Sequence, residues 1–325
     1  MRILVTGGLG TVGAGLVSEL RSRGNEVVSC DLAHHFDEIG FGLRTDVADP
    51  QYARCDVGEF RQIERVFDRT GPFDYVYHCA AEFGRWNGED FYEQLWRTNA
   101  VGTKNIIRLQ ERLGFRLIHF SSSEVYGDWP DLMVETVMDQ HEIKQINDYA
   151  MTKWVNEMQI RNSALQYHTE SVVVRLFNTY GPGEYYSPYR SVNCRFLYCA
   201  LHGLPWTVFR GHQRTSTFLG DTVRTLANIS ERFKPGETYN IGGNALHSIE
   251  ELADIVLSVT GADRNLVEYR ESEILTTMAK QVNTAKSERD LGHQNTYSLA
   301  DGMRITARWM RKVYDSPQGS GSRAA

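Results

Sequence analysis

The sequence predicts an α/β protein with a doubly wound parallel sheet and a smaller C-terminal lobe. Over the first half of the chain, short β-rich runs alternate with longer helical patterns. These runs are apolar without polar alternation, and glycines separate the first run from the first helix. Strands that are apolar on both faces are typical of a parallel sheet covered by helices on both sides. With 325 residues, of which 41% are hydrophobic and 23% charged, the chain can bury a large core.

The first half consists of repeated strand–helix units. Residues 2–5 form the first predicted strand, and the first helix is predicted at residues 12–23, where Leu16, Val17 and Leu20 have helical spacing. The further predicted strands lie at residues 26–30, 74–78, 117–121 and 171–176, together with a third strand that ends at residues 55–57, and the further helices lie at residues 60–69, 92–113 and 149–166. Right-handed crossovers would place the carboxyl ends of these strands along one edge.

After residue 183 the pattern loosens. A strand is predicted at residues 238–241, and helices are predicted at residues 249–260, which Ser248 and Glu251 open as a capping box, and 299–313. The sequence therefore predicts an α/β domain at residues 1–178 with a returning strand near 238–243. The smaller lobe then comprises residues 179–237 and 244–315, and residues 316–325 form a disordered tail.

The composition limits the partners of the chain. It has 35 Lys and Arg against 41 Asp and Glu, a net charge of −6, and no basic block. Such a chain is a poor match for nucleic acid or an anionic membrane. No apolar stretch reaches the ~18–20 residues of a membrane-spanning helix, and the apolar N-terminal run is too short for a signal peptide. The five cysteines lack zinc-ligand spacing. We therefore expect a cytoplasmic protein without a metal site, and reduced thiols.

A glycine turn follows the first predicted strand. Gly7, Gly10 and Gly13 have the spacing that allows a tight turn, close approach of a pyrophosphate and close helix–strand packing. The free N–H groups and the positive dipole end of the helix would face those phosphates. Because Asp31 closes the second predicted strand, the pattern is specific for a dinucleotide site.

Asp31 also indicates which dinucleotide binds. A carboxylate at this position accepts hydrogen bonds from the adenosine ribose and repels a 2′-phosphate, and residues 32–35 offer no arginine or lysine. The sequence therefore predicts NAD rather than NADP. Asp56 ends the third predicted strand in the same manner and is a candidate for an adenine contact, although a bare aspartate is more often a turn former.

A proton-transfer unit is predicted on the helix at residues 149–166. Tyr149 and Lys153 are four residues apart and share one helix face. A free tyrosine titrates near ~10 and is a poor base, but a neighbouring ammonium favours the phenolate, so we expect Lys153 to lower the pKa of Tyr149. The pair can then take a proton from an alcohol while hydride leaves its carbon. Ser122, Ser123 and Glu124 close the fifth strand at the same sheet edge.

Further motifs support a family resemblance. They are Thr6-Gly7-Gly8-Leu9-Gly10-Thr11-Val12-Gly13, His78-Cys79-Ala80-Ala81, Asn99-x-x-Gly102-Thr103, Ser121-Ser122-Ser123-Glu124-Val125-Tyr126-Gly127, Tyr149-x-x-x-Lys153, Arg175-x-x-Asn178-x-Tyr180-Gly181-Pro182 and Asn240-Ile241-Gly242-Gly243. Over nearly its whole length the chain resembles the extended short-chain dehydrogenase/reductases that modify nucleotide sugars. The resemblance implies that Tyr149 is the base, that Lys153 holds the nicotinamide ribose and that Ser122 bonds the sugar hydroxyl.

The resemblance also implies the remaining contacts. Residues 1–178 become an NAD-binding Rossmann domain, the lobe binds substrate, and Asn178 contacts the diphosphate of a nucleotide sugar. A homodimer would form through the helices at residues 92–113 and 149–166. The implied NAD contacts are Gly7, Gly10, Thr11, Val12, Gly13, Asp31, Asp56, Val57, Ala80, Ala81, Asn99, Tyr149 and Lys153.

The implied chemistry starts with oxidation of the sugar at C4 and then divides. Re-reduction of the 4-keto intermediate on its other face gives a 4-epimerase, which we take as the first hypothesis. The alternatives are a 4,6-dehydratase, a UDP-glucuronate decarboxylase and a 4-oxidase. A protein of another class, a non-catalytic NAD-binding sensor or scaffold, would be expected to lack an intact Tyr149–Lys153 pair.

Two departures from the family pattern bear on this choice. Dehydratases of the deoxythymidine-diphosphate-glucose type have Thr-Asp-Glu where this chain has Ser122-Ser123-Glu124, so the acid for the departing water is missing. Glu124 is either a base at C5 or a buried, hydrogen-bonded carboxylate. The usual Gln-x-Arg-Asp-Phe appears as Arg214-Thr215-Ser216-Thr217-Phe218, which places serine where the family has its diphosphate arginine. The candidate replacements and substrate contacts are Arg214 first, then Arg190, Arg195 and Arg210, and Arg85 in the loop after Ala81.

Overall fold

The computed structural model describes residues 1–33, 51–271 and 273–315. Within these residues, the strands are β1 (Arg2–Thr6), β2 (Glu26–Asp31), β3 (Tyr52–Arg54), β4 (Tyr75–His78), β5 (Arg116–Ser122), β6 (Ser171–Leu176), β7 (Thr179–Tyr180), β8 (Trp206–Phe209), β9 (Gln213–Thr215), β10 (Thr217–Phe218), β11 (Thr238–Ile241), β12 (Leu246–Ser248), β13 (Val267–Arg270) and β14 (Ala279–Lys280). The predicted tail at residues 316–325, and His34 and His35, lie outside the described residues.

The helices connect these strands in alternation over the first half of the chain. They are α1 (Thr11–Ser22), α2 (Phe60–Thr70), α3 (Arg85–Asp90), α4 (Tyr92–Trp96), α5 (Gly102–Leu113), α6 (Val137–Gln140), α7 (Asp148–Tyr167), α8 (Val192–Leu201), α9 (Leu219–Glu231), α10 (Ile249–Thr260), α11 (Ala285–Leu291) and α12 (Leu299–Tyr314).

Seven strands form the central sheet. Their order is β11-β6-β5-β4-β1-β2-β3, and every neighbouring pair is parallel. The order changes direction between β1 and β4, which is the topological switch point of a doubly wound sheet. The predicted fold class is therefore confirmed, and the predicted late strand is β11, at the edge of the sheet beside β6.

Both faces of the sheet are buried. In β1, Ile3 and Val5 pack on one face with α1 and α9, whereas Leu4 packs on the other face with α2, α5 and α7. This division follows from the period of two residues along a strand. Because β1, β4, β5 and β6 bury side chains on both sides, their sequences are mainly apolar without polar alternation.

A third core lies in the C-terminal part of the chain. Helices α8, α10 and α12 bury Phe196, Leu252 and Met303 against Trp206 of β8. The N-terminus of α10 has the predicted capping box, in which Ser248 and Glu251 bond each other's backbone N–H groups. The short strands β9, β12 and β14 form a separate sheet, which carries Arg214 and Lys280 toward the edge of the central sheet.

Two predicted elements have different bounds in the structure. The third strand ends at Arg54, so Cys55 and Asp56 lie in the loop after it. The predicted helix at residues 92–113 is divided into α4, a π-helical turn at Arg97–Val101 and α5. Sequence periodicity does not distinguish a π-helical turn from the α-helix around it, and such turns are frequent at functional sites.

A buried ion pair joins α7 to β6 below the edge of the sheet. Arg175 is fully buried, and its Nε and Nη2 donate to the two carboxylate oxygens of Glu157 at 3.0 and 2.7 Å. Glu157 also accepts a hydrogen bond from the Ser121 hydroxyl at 2.6 Å. Arg175 in turn donates to the Tyr126 hydroxyl, which donates to Asn240 of β11. The network fixes the backbone from which Ser122 projects.

Candidate active site

A cavity of about 680 Å³ opens at the carboxyl edge of the central sheet. The ends of β1, β2, β4, β5 and β6 form its floor, and residues of the C-terminal part cover it. The structure brings nearly all predicted site residues to its wall: Gly7, Gly10, Thr11, Val12, Gly13, Asp31, Asp56, Val57, Ala80, Ala81, Arg85, Ser122, Ser123, Glu124, Tyr149, Lys153, Asn178, Arg190, Arg195 and Arg214.

The glycine turn has the geometry of a phosphate cradle. Gly7 has a φ of 70°, and a Cβ there would lie 2.7 Å from the Ala80 nitrogen. A Cβ on Gly13 would lie 2.0 Å from the Gly7 oxygen, so the close packing of α1 on the turn requires glycine. Gly10 caps α1 without any side-chain cap, and a Cβ there would lie 3.3 Å from the Gly7 oxygen. The first N–H groups of α1 therefore remain available to an anion.

Asp31 and Asp56 lie at the far end of this cradle. The Asp31 carboxylate accepts a hydrogen bond from the Leu9 backbone nitrogen at 2.9 Å, which orients it toward the cavity. Asp56 accepts from the Gly58 nitrogen at 2.8 Å and lies 3.4 Å from Arg97. Asp56 therefore forms a turn, which is one of its two predicted roles, and it also lines the cavity.

Asn99 is the one predicted cofactor residue that does not reach the cavity wall. Its buried amide accepts from the Glu82 nitrogen at 2.9 Å and donates to the Glu82 oxygen and to Thr152, both at 3.0 Å. These bonds direct the amide to the loop after β4, and the direct cofactor contact of Asn99 stays a prediction. Asn99 fixes that loop against α7.

Ser122, Tyr149 and Lys153 converge on the floor of the cavity. Tyr149 is the second residue of α7, whose N-terminus is capped by Asn147, and Lys153 lies one turn further along. The Lys153 ammonium donates to the Phe120 oxygen at 2.8 Å and lies 5.8 Å from the centre of the Tyr149 ring. Ser122, at the end of β5, lies beside the Tyr149 hydroxyl and favours the charged form of that phenol. The three groups form one unit around a position for an alcohol.

The expected lowering of the Tyr149 pKa is wrong for this structure. Burial raises the pKa of Tyr149 to about 12, and the negative charge of Glu124 acts in the same direction, while the Ser122 hydrogen bond opposes it. Lys153 does not offset these effects, because its ammonium is directed to the Phe120 oxygen. Burial also lowers the pKa of Lys153 to about 8, although Cys79 and Glu157 favour its charged form.

Glu124 is held by a lysine that the sequence analysis did not single out. Lys280, the last residue of β14, donates to the Oε1 atom of Glu124. The amide of Asn147 donates to Oε2 at 3.4 Å. Although burial disfavours its charge, the cations Lys280, Arg85 and Arg214 hold the pKa of Glu124 at about 2. Burial lowers the pKa of Lys280 to about 8. In this structure Glu124 is therefore a hydrogen-bonded carboxylate, and the role of a base at C5 stays a prediction.

Two of the predicted arginines lie beside this pair. Arg214 is buried and donates to the Gln213 and Met278 oxygens at 2.7 and 3.0 Å and to the Thr276 hydroxyl at 3.0 Å. Its burial lowers its pKa to about 10. Arg85 is paired with Glu273 at 3.1 Å. Three cations thus face two carboxylates, Glu124 and Glu273, in this part of the site.

The other candidate arginines separate into two groups. Arg190 lies over the Phe83 ring at 4.1 Å, and both Arg190 and Arg195 line the cavity with a buried Nε that has no hydrogen-bond partner. Asn178, beside them on the wall, has a φ of 35°. Arg210 instead points outward, over Tyr269 and toward Glu271.

Ser216, at the position of the family's diphosphate arginine, turns away from the cavity wall. Its hydroxyl lies 2.9 Å from His247 Nε2. The loss of the arginine at this position is therefore not compensated by Ser216 itself, and the positive charges on the wall come from other positions.

Several residues of the site were not found from the sequence. They are Glu82, Trp86, His212, Glu273, Thr276 and Lys280. No motif spacing marks Lys280 or Glu273 in the sequence. Their position in the site depends on the pairing of β14 with β9 and on the loop that precedes β14. One signal in the sequence lies near them. Arg214, a predicted substrate contact, belongs to the strand Gln213–Thr215, with which β14 pairs.

Two negative findings concern only the described part of the chain. Among those residues no cluster of His, Cys, Asp and Glu has a metal-binding arrangement. No helix in the same ranges has the length and hydropathy to cross a bilayer.

Comparison with known proteins identifies the family. The sequence pattern of the "NAD dependent epimerase/dehydratase family" matches residues 3–242, so the chain belongs to that family of enzymes. This confirms the resemblance to the extended short-chain dehydrogenase/reductases, and NAD is the cofactor of the family. The glycine cradle fits it, because Gly7 and Gly13 leave no room for a side chain while Gly10 keeps the helix N-terminus open.

The relatives divide among several reactions. The chain is 28% identical over 344 residues to UDP-glucuronic acid decarboxylase 2 of Arabidopsis thaliana, covering 100% of this chain and 72% of the relative. It is 30% identical over 338 residues to dTDP-glucose 4,6-dehydratase of Neisseria meningitidis serogroup B, covering 95% and 92%. The solved UDP-glucose 4-epimerase of Thermotoga maritima, with UDP-glucose, is similar with a TM-score of 0.85 and 25% identity over 96% of this chain and 99% of that one.

Proposed function

We propose that this enzyme is a nucleotide-sugar 4-epimerase that works through a transient 4-keto sugar. The observation that carries this proposal is the convergence of Ser122, Tyr149 and Lys153 in the cavity that also holds the glycine cradle. An alcohol carbon between these groups would lie against the nicotinamide of a dinucleotide whose phosphates occupy the cradle.

The chain's own groups handle the proton of the C4 hydroxyl. NAD, when bound, accepts the hydride from C4 and returns it. Ser122 orients the C4 hydroxyl and Tyr149 takes its proton as the carbonyl forms. Burial holds the Tyr149 pKa at about 12, so Tyr149 can take this proton only as a phenolate, which the positive charge of an oxidised nicotinamide ring beside it would favour. Tyr149 gives the proton back when hydride returns to the other face of the sugar.

The cavity wall favours a nucleotide diphosphate as the other half of the substrate. Arg190 and Arg195 each present a buried Nε without a partner, and Asn178 lies beside them. A buried donor without an acceptor costs about 1–3 kcal/mol, which phosphate oxygens would offset. These residues therefore replace the arginine that the family has at position 216.

Epimerisation requires no acid or base beyond the unit at C4. Dehydration needs an acid for the departing water, and the residue at that position is Ser123, whose hydroxyl does not ionise in the accessible range. Glu124, the other candidate for C5–C6 chemistry, already bonds Lys280 and Asn147. The wall of the C4 site therefore supports hydride return more directly than loss of water.

One observation favours a second candidate, decarboxylation of a nucleotide hexuronate. Arg85, Arg214 and Lys280 exceed the two carboxylates beside them by one positive charge. A sugar carboxylate would balance that charge. Decarboxylases of UDP-glucuronic acid are also among the relatives.

A panel of UDP-glucose, UDP-glucuronic acid and dTDP-glucose tests the proposal. Mass spectrometry and proton NMR are expected to show an unchanged mass with inversion at C4. Loss of one water would instead establish a dehydratase, loss of carbon dioxide a decarboxylase, and loss of two hydrogens a 4-oxidase.

Two variants separate catalysis from cofactor binding. Tyr149→Phe is expected to lower turnover about 10²–10⁴-fold, because it removes the acid–base group. Tyr167→Phe is the matched control, since Tyr167 ends the same helix and is exposed. If Tyr149→Phe turns over at the wild-type rate, Tyr149 is not the acid–base group. If NAD binds and no sugar of the panel is converted, a non-catalytic NAD-binding protein is the better interpretation.

We also propose that two copies pair through α5 and α7. Met151, Met158 and Leu165 are exposed apolar side chains of α7 spaced seven residues apart, and Leu113 is exposed at the end of α5. Apolar patches of this kind mark interfaces. Light scattering after gel filtration is expected to give twice the chain mass, and Leu165→Glu is expected to halve it.

The state of the cysteines supports a reducing compartment, which we propose to be the cytoplasm. All five cysteines, Cys30, Cys55, Cys79, Cys194 and Cys199, are free. Thiol labelling of protein from freshly lysed cells under denaturation is expected to modify all five.

A further inference from the structure

We infer that Lys280 is a positioning residue that holds the Glu124 carboxylate away from the C5 proton of the substrate. The inference rests on the proposed function, because it concerns the fate of the 4-keto sugar. Its consequence is that the intermediate is reduced again at C4 before it can exchange or lose a proton at C5.

The geometry engages both oxygens of Glu124. Oε1 accepts from the Lys280 ammonium, and Oε2 accepts from the Asn147 amide at 3.4 Å. The Glu124 backbone nitrogen donates to the Ser122 hydroxyl oxygen at 3.2 Å. Glu124 therefore lies in the turn that follows the serine proposed to orient the C4 hydroxyl. Its carboxylate lines the same cavity as Ser122 and Tyr149 but is directed toward Lys280.

Lys280 is itself fixed. Its side chain is 4% exposed, and its backbone oxygen accepts from the Thr215 hydroxyl at 3.3 Å in the paired strand β9. The ammonium cannot easily follow Glu124 if the carboxylate turns toward the cavity. The ion pair therefore keeps the carboxylate on the side of β14.

The charges around Glu124 weaken it as a base. Lys280, Arg85 and Arg214 face it from three segments of the chain, and the Tyr149 phenol and Asn147 amide face it from α7. Glu273 partly neutralises Arg85. With a pKa of about 2, the Glu124 carboxylate has little tendency to accept a proton from carbon.

Removal of Lys280 would permit a defined step. Glu124 would take the C5 proton of the 4-keto sugar, and the C5–H electron pair would form the enolate of the C4 ketone. Protonation of C5 from solvent would then restore the ketone. In D₂O, this step replaces the C5 hydrogen by deuterium without any net oxidation.

The experiment measures both carbons in one sample. Wild type, Lys280→Met and Lys280→Arg are incubated with UDP-glucose and with dTDP-glucose in D₂O, and NMR follows inversion at C4 and deuterium at C5. The reported quantity is the ratio of C5 exchange to C4 inversion, which corrects for any loss of overall rate. Lys286→Met is the matched control, because Lys286 lies on α11, does not line the cavity, and forms an ion pair with Glu237.

We expect the ratio of C5 exchange to C4 inversion to be near zero for wild type, Lys280→Arg and Lys286→Met. For Lys280→Met we expect this ratio to be at least about tenfold higher. The double variant Lys280→Met/Glu124→Gln should return to a ratio near zero. If C4 inverts and Lys280→Met shows no C5 exchange, the inference is wrong while the proposed function stands. If the wild type inverts C4 in neither sugar, both the inference and the proposed function are wrong.

A second measurement does not depend on the folding of a variant. Burial lowers the pKa of Lys280 to about 8, so the ammonium is lost as the pH rises through that value, well below the range of an ordinary lysine. The wild-type ratio is expected to rise between pH 7 and pH 9 and to stay flat in Glu124→Gln. A wild-type ratio that is independent of pH over this range would overturn the inference.

Discussion

Replacement of Glu157 by glutamine tests the buried network below the catalytic serine. In the wild type, the Glu157 carboxylate accepts three hydrogen bonds, from Ser121 at 2.6 Å and from Arg175 at 3.0 and 2.7 Å. A glutamine oxygen at the Oε1 position keeps the first two. Its NH₂ group then faces the Nη2 of Arg175, donor against donor, and the fully buried guanidinium has lost its counter-charge.

The magnitude follows from that geometry. Removing one partner of a buried ion pair costs about 3–5 kcal/mol, mostly because the remaining charge is uncompensated. We therefore expect Glu157→Gln to lower the free energy of unfolding in urea by about 3–5 kcal/mol. Glu64→Gln is the control, since Glu64 pairs with Arg112 at 2.6 Å on the surface, where such a pair contributes about 0–1 kcal/mol.

The same variant has a second readout in catalysis. The Glu157 charge favours the protonated form of Lys153. Its removal is expected to shift the alkaline limb of the turnover profile, which reports the loss of the Lys153 ammonium, to lower pH. A loss of stability under about 1 kcal/mol, equal to that of the Glu64→Gln control, would refute the assignment of a dominant buried ion pair.

Three further predictions concern the NAD site and Lys153. Gly13→Ala is expected to abolish NAD binding in calorimetry, because the new Cβ would lie 2.0 Å from the Gly7 oxygen; retained affinity would contradict the cradle. Asp31→Ser is expected to raise the ratio of NADP to NAD affinity about tenfold or more, measured by fluorescence titration, since it removes the carboxylate that repels a 2′-phosphate. Wild-type turnover is expected to fall as the pH rises through about 8, where Lys153 loses its charge; a plateau to pH 10 would exclude that role.

The sheet and the floor of the site could be predicted from the sequence because their signals are local. Gly7, Asp31 and Ser122 each stand at a fixed offset from an apolar strand, and the parallel sheet brings such strand ends to one edge. Tyr149 and Lys153 are related by one turn of a single helix.

The roof of the site could not be predicted, because it depends on tertiary placement. Lys280 reaches Glu124 over 156 residues of sequence through the pairing of two-residue and three-residue strands. The pKa of Tyr149 was mispredicted for a similar reason. The distance along the helix indicated that Lys153 is near, but burial and the direction of its ammonium decided the outcome.

The position of β11 has a consequence for the chain during its synthesis. Strand β6 leaves the ribosome long before Thr238–Ile241, the strand that pairs with its outer edge. At about 5–20 residues per second, the 62 residues from Leu176 to Thr238 take roughly 3–12 s. During that interval, the N–H and C=O groups along the edge of a valine-rich strand have no partner, and such an edge can pair with another nascent chain. Slow translation between these two strands would therefore favour aggregation of this protein, and a chaperone that covers the edge of β6 would favour its yield.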